Sequence, residues 1–207
     1  GRLLALLERT TAFYERYLWD SQEAAHARDY LAGRGFAEET LRAFRVGWAP
    51  AGWDRLLTGA RRDGFSLEEL LAAGLAQRRR SGDGGVDRFR ERIVFPLADA
   101  RGRVLGFGAR TLDPDEPAKY INTAENEIFH KGRQLFGIDK ARVAAAKAAR
   151  VVAVEGYTDA LALHQAGIVE TVAIMGTALT DHQLAELARA AGGEGVVYLA
   201  LDADSSG

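Results

Sequence analysis

The chain has 207 residues, 47% of them hydrophobic, with 27 basic and 29 acidic side chains and a formal net charge of −2. That length suits one large or two small domains with a real core, and near-neutrality gives no global sign of a polyanionic partner. The lack of cysteine excludes disulfides and thiolate metal sites, and the apolar run at residues 3–7 is too short for a membrane span or a signal peptide, so a soluble cytoplasmic protein with no membrane partner is expected.

Residues 1–32 are predicted to be helical. Leu3, Leu6, Leu7, Phe13, Tyr14, Tyr17 and Leu18 form a broad apolar stripe. Ser21 is a candidate cap for a second helix reaching Leu31, with Gly33 just past its end. A short helix over 37–44 stops at Gly47. Trp48 and Trp53 flank Pro50 and Gly52 in a loop, where packing explains them better than base stacking. Ser66-Leu67-Glu68-Glu69 reads as a capping box with Gly74 as the stop. These elements form a helical layer without chemistry of its own.

The charge changes in the middle of the chain. Residues 78–110 hold nine arginines against four acids, a net +5. Arg78–Gly85 reads as a polar, solvated loop. Arg88, Arg90 and Arg92 alternate with Phe89, Glu91 and Ile93, so a strand there would put three arginines on one face. Asp99-Ala100-Arg101-Gly102 is a hairpin turn. On the return strand, Gly106, Gly108 and Arg110 share a face, a bare backbone track that a ligand or another backbone could approach. Lys119, Tyr120 and Asn122, then His130 and Lys131, follow; lysine meets phosphate as a point charge and tyrosine can stack on a base.

The last third reads β-α-β-α-β. The apolar runs 151–154, 172–175 and 196–201 stop at Glu155, Gly176 and Asp202, and Thr180-Asp181-His182-Gln183 is a second capping box, opening a helix to about Ala191. Short continuous apolar strands between helices indicate a parallel sheet covered on both faces. Ligands of such sheets bind beyond the carboxyl ends of the strands, where Glu155, Asp202 and Asp204 stand. Residues 151–207 hold one arginine and eight acids, a net −7. Converging carboxylates raise one another's pKa unless a cation joins them. Oxygen-only ligands favour Mg²⁺ or Mn²⁺ over zinc, and two ions roughly 3.5–4 Å apart would form a phosphoryl-transfer site. Asp159, four residues after Glu155, is open to two roles: metal ligand, or partner of its own helix dipole. A basic segment and an acidic metal site in one chain suit an enzyme that handles a polyanion.

Glu155-Gly156-Tyr157-Thr158-Asp159, the run V-A-I-M-G-T-A-L-T at 172–180 and Asp202-Ala203-Asp204-Ser205-Ser206-Gly207 resemble the Toprim domain, specifically that of bacterial-type DNA primases. Arg34-Gly35-Phe36, Val46-Gly47-Trp48-Ala49-Pro50, residues 87–97, 102–110, Lys119-Tyr120-Ile121-Asn122 and residues 129–137 resemble the polymerase core of that family. Two departures are Gly108-Ala109-Arg110, often Gly-Gly-Arg in the family, and Asn122-Thr123-Ala124-Glu125-Asn126, often Asn-Ser-Pro-Glu-Thr.

The resemblance implies an α/β chain: an α+β amino-terminal subdomain over 1–131, then a βαβαβ Toprim domain over 132–207, incomplete at its carboxyl end with one flank of the sheet exposed. It implies synthesis of short RNA primers on single-stranded DNA. Glu155 falls on the catalytic position. Glu155, Asp202 and Asp204, with Asp159, fall to the metal, Mg²⁺ or Mn²⁺; zinc belongs to a family domain absent from this chain. Arg88, Arg90, Arg110, Lys119, Tyr120, Asn122 and Lys131 fall to nucleic acid or nucleotide. The implied partners are the single-stranded DNA template, ribonucleoside triphosphates, the RNA primer and, through a region not in this chain, the replicative helicase. The alternatives are a binding fragment without turnover, or a Toprim nuclease or topoisomerase, although nothing marks the nucleophilic tyrosine a topoisomerase needs.

Overall fold

The computed structural model describes residues 1–176 and 178–203. It divides into two units: residues 1–96 with 104–131, and residues 97–103 with the chain from 132 onward. Among the described residues, no helix is long and apolar enough to cross a membrane.

The first unit opens with α1 (Arg2–Asp20), α2 (Ala25–Gly33) and α3 (Glu38–Ala43). The Ser21 hydroxyl does not cap α2. It accepts from the Glu23 N–H at 3.1 Å, and the helix starts four residues later. Next come β1 (Gly47–Ala49), α4 (Arg55–Arg62) and α5 (Leu67–Ala72). The α5 capping box is formed at both ends: the Ser66 hydroxyl accepts from the Glu69 N–H and the Glu69 carboxylate from the Ser66 N–H. The chain continues as the ribbon β2 (Ala76–Arg78) and β3 (Gly85–Asp87), then β4 (Arg92–Ala98), β5 (Val104–Thr111) and β6 (Tyr120–Asn122). A four-stranded sheet has the order β1-β4-β5-β6.

Trp48 lies in β1, opposite Ile93, and is fully buried rather than in a loop. The α1 helix lies so close to β1 that a Cβ on Gly47 would sit 2.6 Å from the Tyr14 backbone, which leaves glycine as the residue that fits. Tyr14 in turn meets Phe107 of β5 edge-on, 5.6 Å between ring centres.

The arginine stretch departs from the predicted strand. Residues 88–91 are not strand; they join β3 to β4, and Glu91 adopts φ +49°. Gly106 also has a different reason from the one expected. A Cβ there would come within 2.5 Å of the Phe129 ring and 2.9 Å of the Thr123 hydroxyl, so the chain's own buried side chains fill the gap.

In the second unit, α6 (Ile138–Ala148) leads into β7 (Arg150–Val154), α7 (Tyr157–Gln165), β8 (Thr171–Ala173), α8 (Asp181–Ala191) and β9 (Val196–Ala200). The sheet order is β8-β7-β9, with both pairs parallel. Leu135, Ile138, Ala141 and Ala145 share a core with Val151, Ala153, Val172, Leu187 and Ala191, so α6 and α8 cover one face. The Thr180 hydroxyl accepts from the Gln183 N–H at 3.1 Å and donates to the Gly132 carbonyl at 2.6 Å. Buried Gln183 donates to the carbonyls of Gln134 and Ile174. One capping box therefore also fixes the loop leaving β8. On the β9 flank, Val196, Tyr198 and Leu199 are half exposed.

Gly106→Ala should cost about 1–3 kcal/mol by overpacking against Phe129. Urea denaturation measures this, and an unchanged midpoint would remove the packing explanation.

Candidate active site

The acidic cluster of the second unit follows from parallel pairing. Val154 stands opposite Ala173 on one side and Ala200 on the other, so all three strands end at one edge. Glu155 is the first residue past β7. Its Oε1 accepts the main-chain N–H of Asp202 at 3.1 Å, and its own carbonyl accepts the Met175 N–H at 2.9 Å. Glu155 is thereby tied to the ends of both neighbouring strands. Its Oε2 has no hydrogen-bond partner among the described residues, and the Asp202 side chain is exposed.

Asp159 sits in the first turn of α7. A Cβ on Gly156 would lie 2.9 Å from its Oδ2, so this carboxylate folds back over the glycine. Asp204 lies outside the described residues. Among the described residues, no cluster of three or more metal-ligating side chains forms. Glu155 Oε2 and the Asp202 carboxylate remain as two oxygen donors. That set fits a hard divalent cation that keeps part of its water shell and takes one or two protein carboxylates.

A separate set of basic residues belongs to the first unit. Arg88, Arg90 and Arg92 line one cavity of about 550 Å³ with Trp48, Trp53 and Glu116. Arg88 donates to the Asn122 carbonyl through Nε at 3.0 Å and Nη2 at 2.5 Å. Arg92 donates to the carbonyls of Ala118 and Lys119 at 2.8 and 3.2 Å, and lies 3.7 Å from Glu116. Burial, reinforced by the Arg92 charge, lowers the Arg88 pKa. Burial also lowers that of Arg92, against Glu116. The two side chains brace the segment that carries Lys119, Tyr120 and Asn122. Arg90 instead lies over Trp53, 4.1 Å from the ring centre, and donates to the Asp87 carbonyl. The Trp48 indole N–H, also in this wall, has no hydrogen-bond partner among the described residues.

Arg110 lies 4.8 Å from the Tyr30 ring centre and 6.0 Å from that of Tyr120. Tyr120 is 43% exposed. Lys119 and Lys131 are exposed, and their ammonium groups make no ion pair among the described residues. Tyr30 beside Arg110, His26, which lines the arginine cavity edge-on to Trp48, and Arg92 join these residues only through tertiary folding. No local motif marks them, although Arg92 completes the visible arginine alternation.

Asp87 holds this region in place. It is fully buried, and its two carboxylate oxygens accept the Leu56 and Leu57 N–H groups at 2.8 and 2.9 Å, at the start of α4. Burial pushes its carboxyl from 3.8 to about 6, while the two N–H groups pull it down.

Comparison with known proteins adds to the geometry. Residues 13–142 match the family model described as DNA primase catalytic core, N-terminal domain, and residues 152–207 match one described as Toprim-like. A DNA primase of Synechococcus elongatus is 46% identical over 208 residues, covering 100% of this chain and 30% of the relative. That of Deinococcus radiodurans is 46% identical over 181 residues, covering 87% and 31%. This chain thus spans about a third of the length of those relatives. The crystal structure of the RNA polymerase domain of Mycobacterium tuberculosis primase DnaG superposes with a TM-score of 0.92 at 43% identity, covering 99% of this chain and 67% of that one. A DnaG primase catalytic domain bound to single-stranded DNA gives a TM-score of 0.84 at 40% identity, covering 99% and 62%. Toprim primases as a family are metal-dependent.

Asp87 binds its proton more tightly in the folded chain than in the unfolded one. Its protonation therefore contributes stability that is complete below pH 3.8 and lost as pH rises through about 6. The stability difference between the parent and Asp87→Asn should drift against the parent by up to about 3 kcal/mol across that window. Denaturant melts at several pH values measure the drift, and parallel curves would refute it.

Proposed function

The chain belongs to the DNA primase catalytic-core family, and from that membership we propose that it works as the polymerising core of a primase, joining ribonucleotides into short RNA primers on single-stranded DNA. The observation that carries the reading is the Glu155 carboxylate held by the Asp202 main-chain N–H at the edge where the parallel strands end, with its second oxygen left over. Three kinds of group are needed for nucleotidyl transfer: an acceptor for the attacking hydroxyl's proton, oxygen ligands for a cation, and cations for the polymer. The chain carries all three.

In the reaction, the primer 3′-oxygen forms a bond to the α-phosphorus of the incoming ribonucleotide. The bond from that phosphorus to the β-phosphate oxygen breaks, and pyrophosphate leaves. Glu155 Oε2 takes the proton from the 3′-hydroxyl. Glu155 and Asp202, joined by Asp204 and Asp159, would hold Mg²⁺ or Mn²⁺, which supplies neutralising charge to the transferring phosphate. Arg88 and Arg90 bind phosphate from the cavity they line. Arg110 presents its guanidinium beside Tyr120, on which a base can stack. Lys119 and Lys131 act as point charges, and Asn122, whose carbonyl accepts from Arg88, belongs to the same nucleotide-binding segment. The RNA primer and ribonucleoside triphosphates are then substrates, the replicative helicase is a partner of the whole enzyme, and the work is cytoplasmic.

Glu155→Gln should cut primer synthesis on a single-stranded template by about a hundred- to a thousandfold while leaving the thermal melt in place. Primer yield equal to the parent would defeat the assignment. Template binding by the parent without synthesis would instead support a binding module.

Lys119→Ala and Lys131→Ala should each flatten the dependence of log binding constant on log salt, for single-stranded DNA, by about 0.7. A slope unchanged in both would remove these lysines from the phosphate contacts.

A further inference from the structure

One cavity of the first unit is lined by none of the residues assigned above to phosphate, base or metal. It is a groove of about 1000 Å³ between α1 and α4. Its floor is apolar, formed by Leu6 and Phe13 from α1, Leu56 and Ala60 from α4, and Phe65 just beyond. Its rims are cationic. Arg9 and Arg16 stand seven residues apart on α1, and Arg55 and Arg62 seven apart on α4. Seven residues are about two helical turns, or roughly 10 Å, so each rim repeats its charge at the spacing of a facing helix.

These cations are largely uncommitted. Arg16 and Arg62 are exposed and make no hydrogen bond or ion pair among the described residues. Arg9 reaches Asp63 only at 3.6 Å, with both side chains at least half exposed. Arg55 donates to the Tyr17 hydroxyl at 3.3 Å, lays its side chain over Gly52 and feels the charges of Glu23 and Asp54, without a close ion pair among the described residues. Four guanidinium groups around one apolar trough repel one another, and the hydrogen bonds and ion pairs they make among the described residues are limited to Arg9 with Asp63 and Arg55 with Tyr17.

We propose that this groove docks an acidic amphipathic helix of a partner protein, with aliphatic or aromatic side chains on the floor and carboxylates on the arginine rims. An apolar stripe flanked by charge is how a helix is recognised in a groove. Two features disfavour a nucleic-acid strand. Asp54 and Asp63 belong to the same lining and would repel a backbone charged at every nucleotide. A peptide can place its carboxylates beside the arginines and skip the aspartates. The floor also rewards aliphatic burial, which a sugar-phosphate chain does not offer.

The chain has no cysteine, so Thr58→Cys, on an exposed groove position, takes a single environment-sensitive dye. The probe is a helix-forming peptide of about 14 residues with Leu on one face and Glu flanking it. A saturable dye shift is expected. Arg16→Glu with Arg62→Glu should weaken it at least tenfold, as should replacing the probe's Leu with Ser. The thermal melt of the double variant, at two exposed sites, should match the parent. No saturable shift at millimolar peptide would overturn the proposal, as would binding unaffected by the charge reversals. Stronger displacement by a thymidine oligonucleotide of equal charge than by unlabelled peptide would assign the groove to nucleic acid instead.

Discussion

The 3.1 Å hydrogen bond from the Asp202 main chain to the Glu155 carboxylate is the constraint on which the acidic site depends. It forms because β7 and β9 are parallel and in register, Val154 beside Ala200. Parallel strands deliver their ends to one edge, so two acids 47 positions apart in sequence, each following an apolar run, are brought to the same edge. The bond also orients the carboxylate. With Oε1 engaged by an N–H, Oε2 is left for a cation or a proton. Met175 closes the other side by donating to the Glu155 carbonyl, and it does so from a left-handed backbone, φ +55°. That conformation costs a non-glycine residue on the order of 1 kcal/mol. The strain lies at the site rather than in the core of the sheet.

The basic residues follow a different logic. Arg88 and Arg92 are anchored on carbonyls of the 118–122 segment, and buried guanidinium groups without such acceptors would be costly. They stiffen the segment that carries Lys119 and Tyr120 while remaining in the wall of a cavity. Beneath them, Asp87 holds two N–H groups of α4. Its carboxylate is desolvated with little direct cationic help, which accounts for the upward pKa. Stability is given up at neutral pH for a fixed arginine platform.

Much of this was legible in the chain itself, where the determinants are local. The boxes at Ser66 and Thr180 need only four residues each, and both form as read. The three apolar runs of the last third become β7, β8 and β9, because a run too short for a helix and too apolar for a surface strand has few other places to go. The misreadings are nonlocal. Arg88 to Arg92 alternate as a strand would, yet Glu91 turns to positive φ and Arg90 stacks on Trp53, a ring 37 positions away in the sequence. Gly106 looked like an opening, but whether a glycine is bare depends on which side chain covers it, here Phe129. Trp48 sat between loop-forming residues, while β4 draws it into the sheet. Tyr30 carries no mark of its association with Arg110 until α2 is placed beside β5.

The close approach at Gly47 has a consequence for sequence drift. A Cβ there would meet the Tyr14 backbone at 2.6 Å, so any larger residue must push α1 away from β1. Substitutions can accumulate along the exposed positions of α1, but this one position is closed to them while the helix keeps its seat.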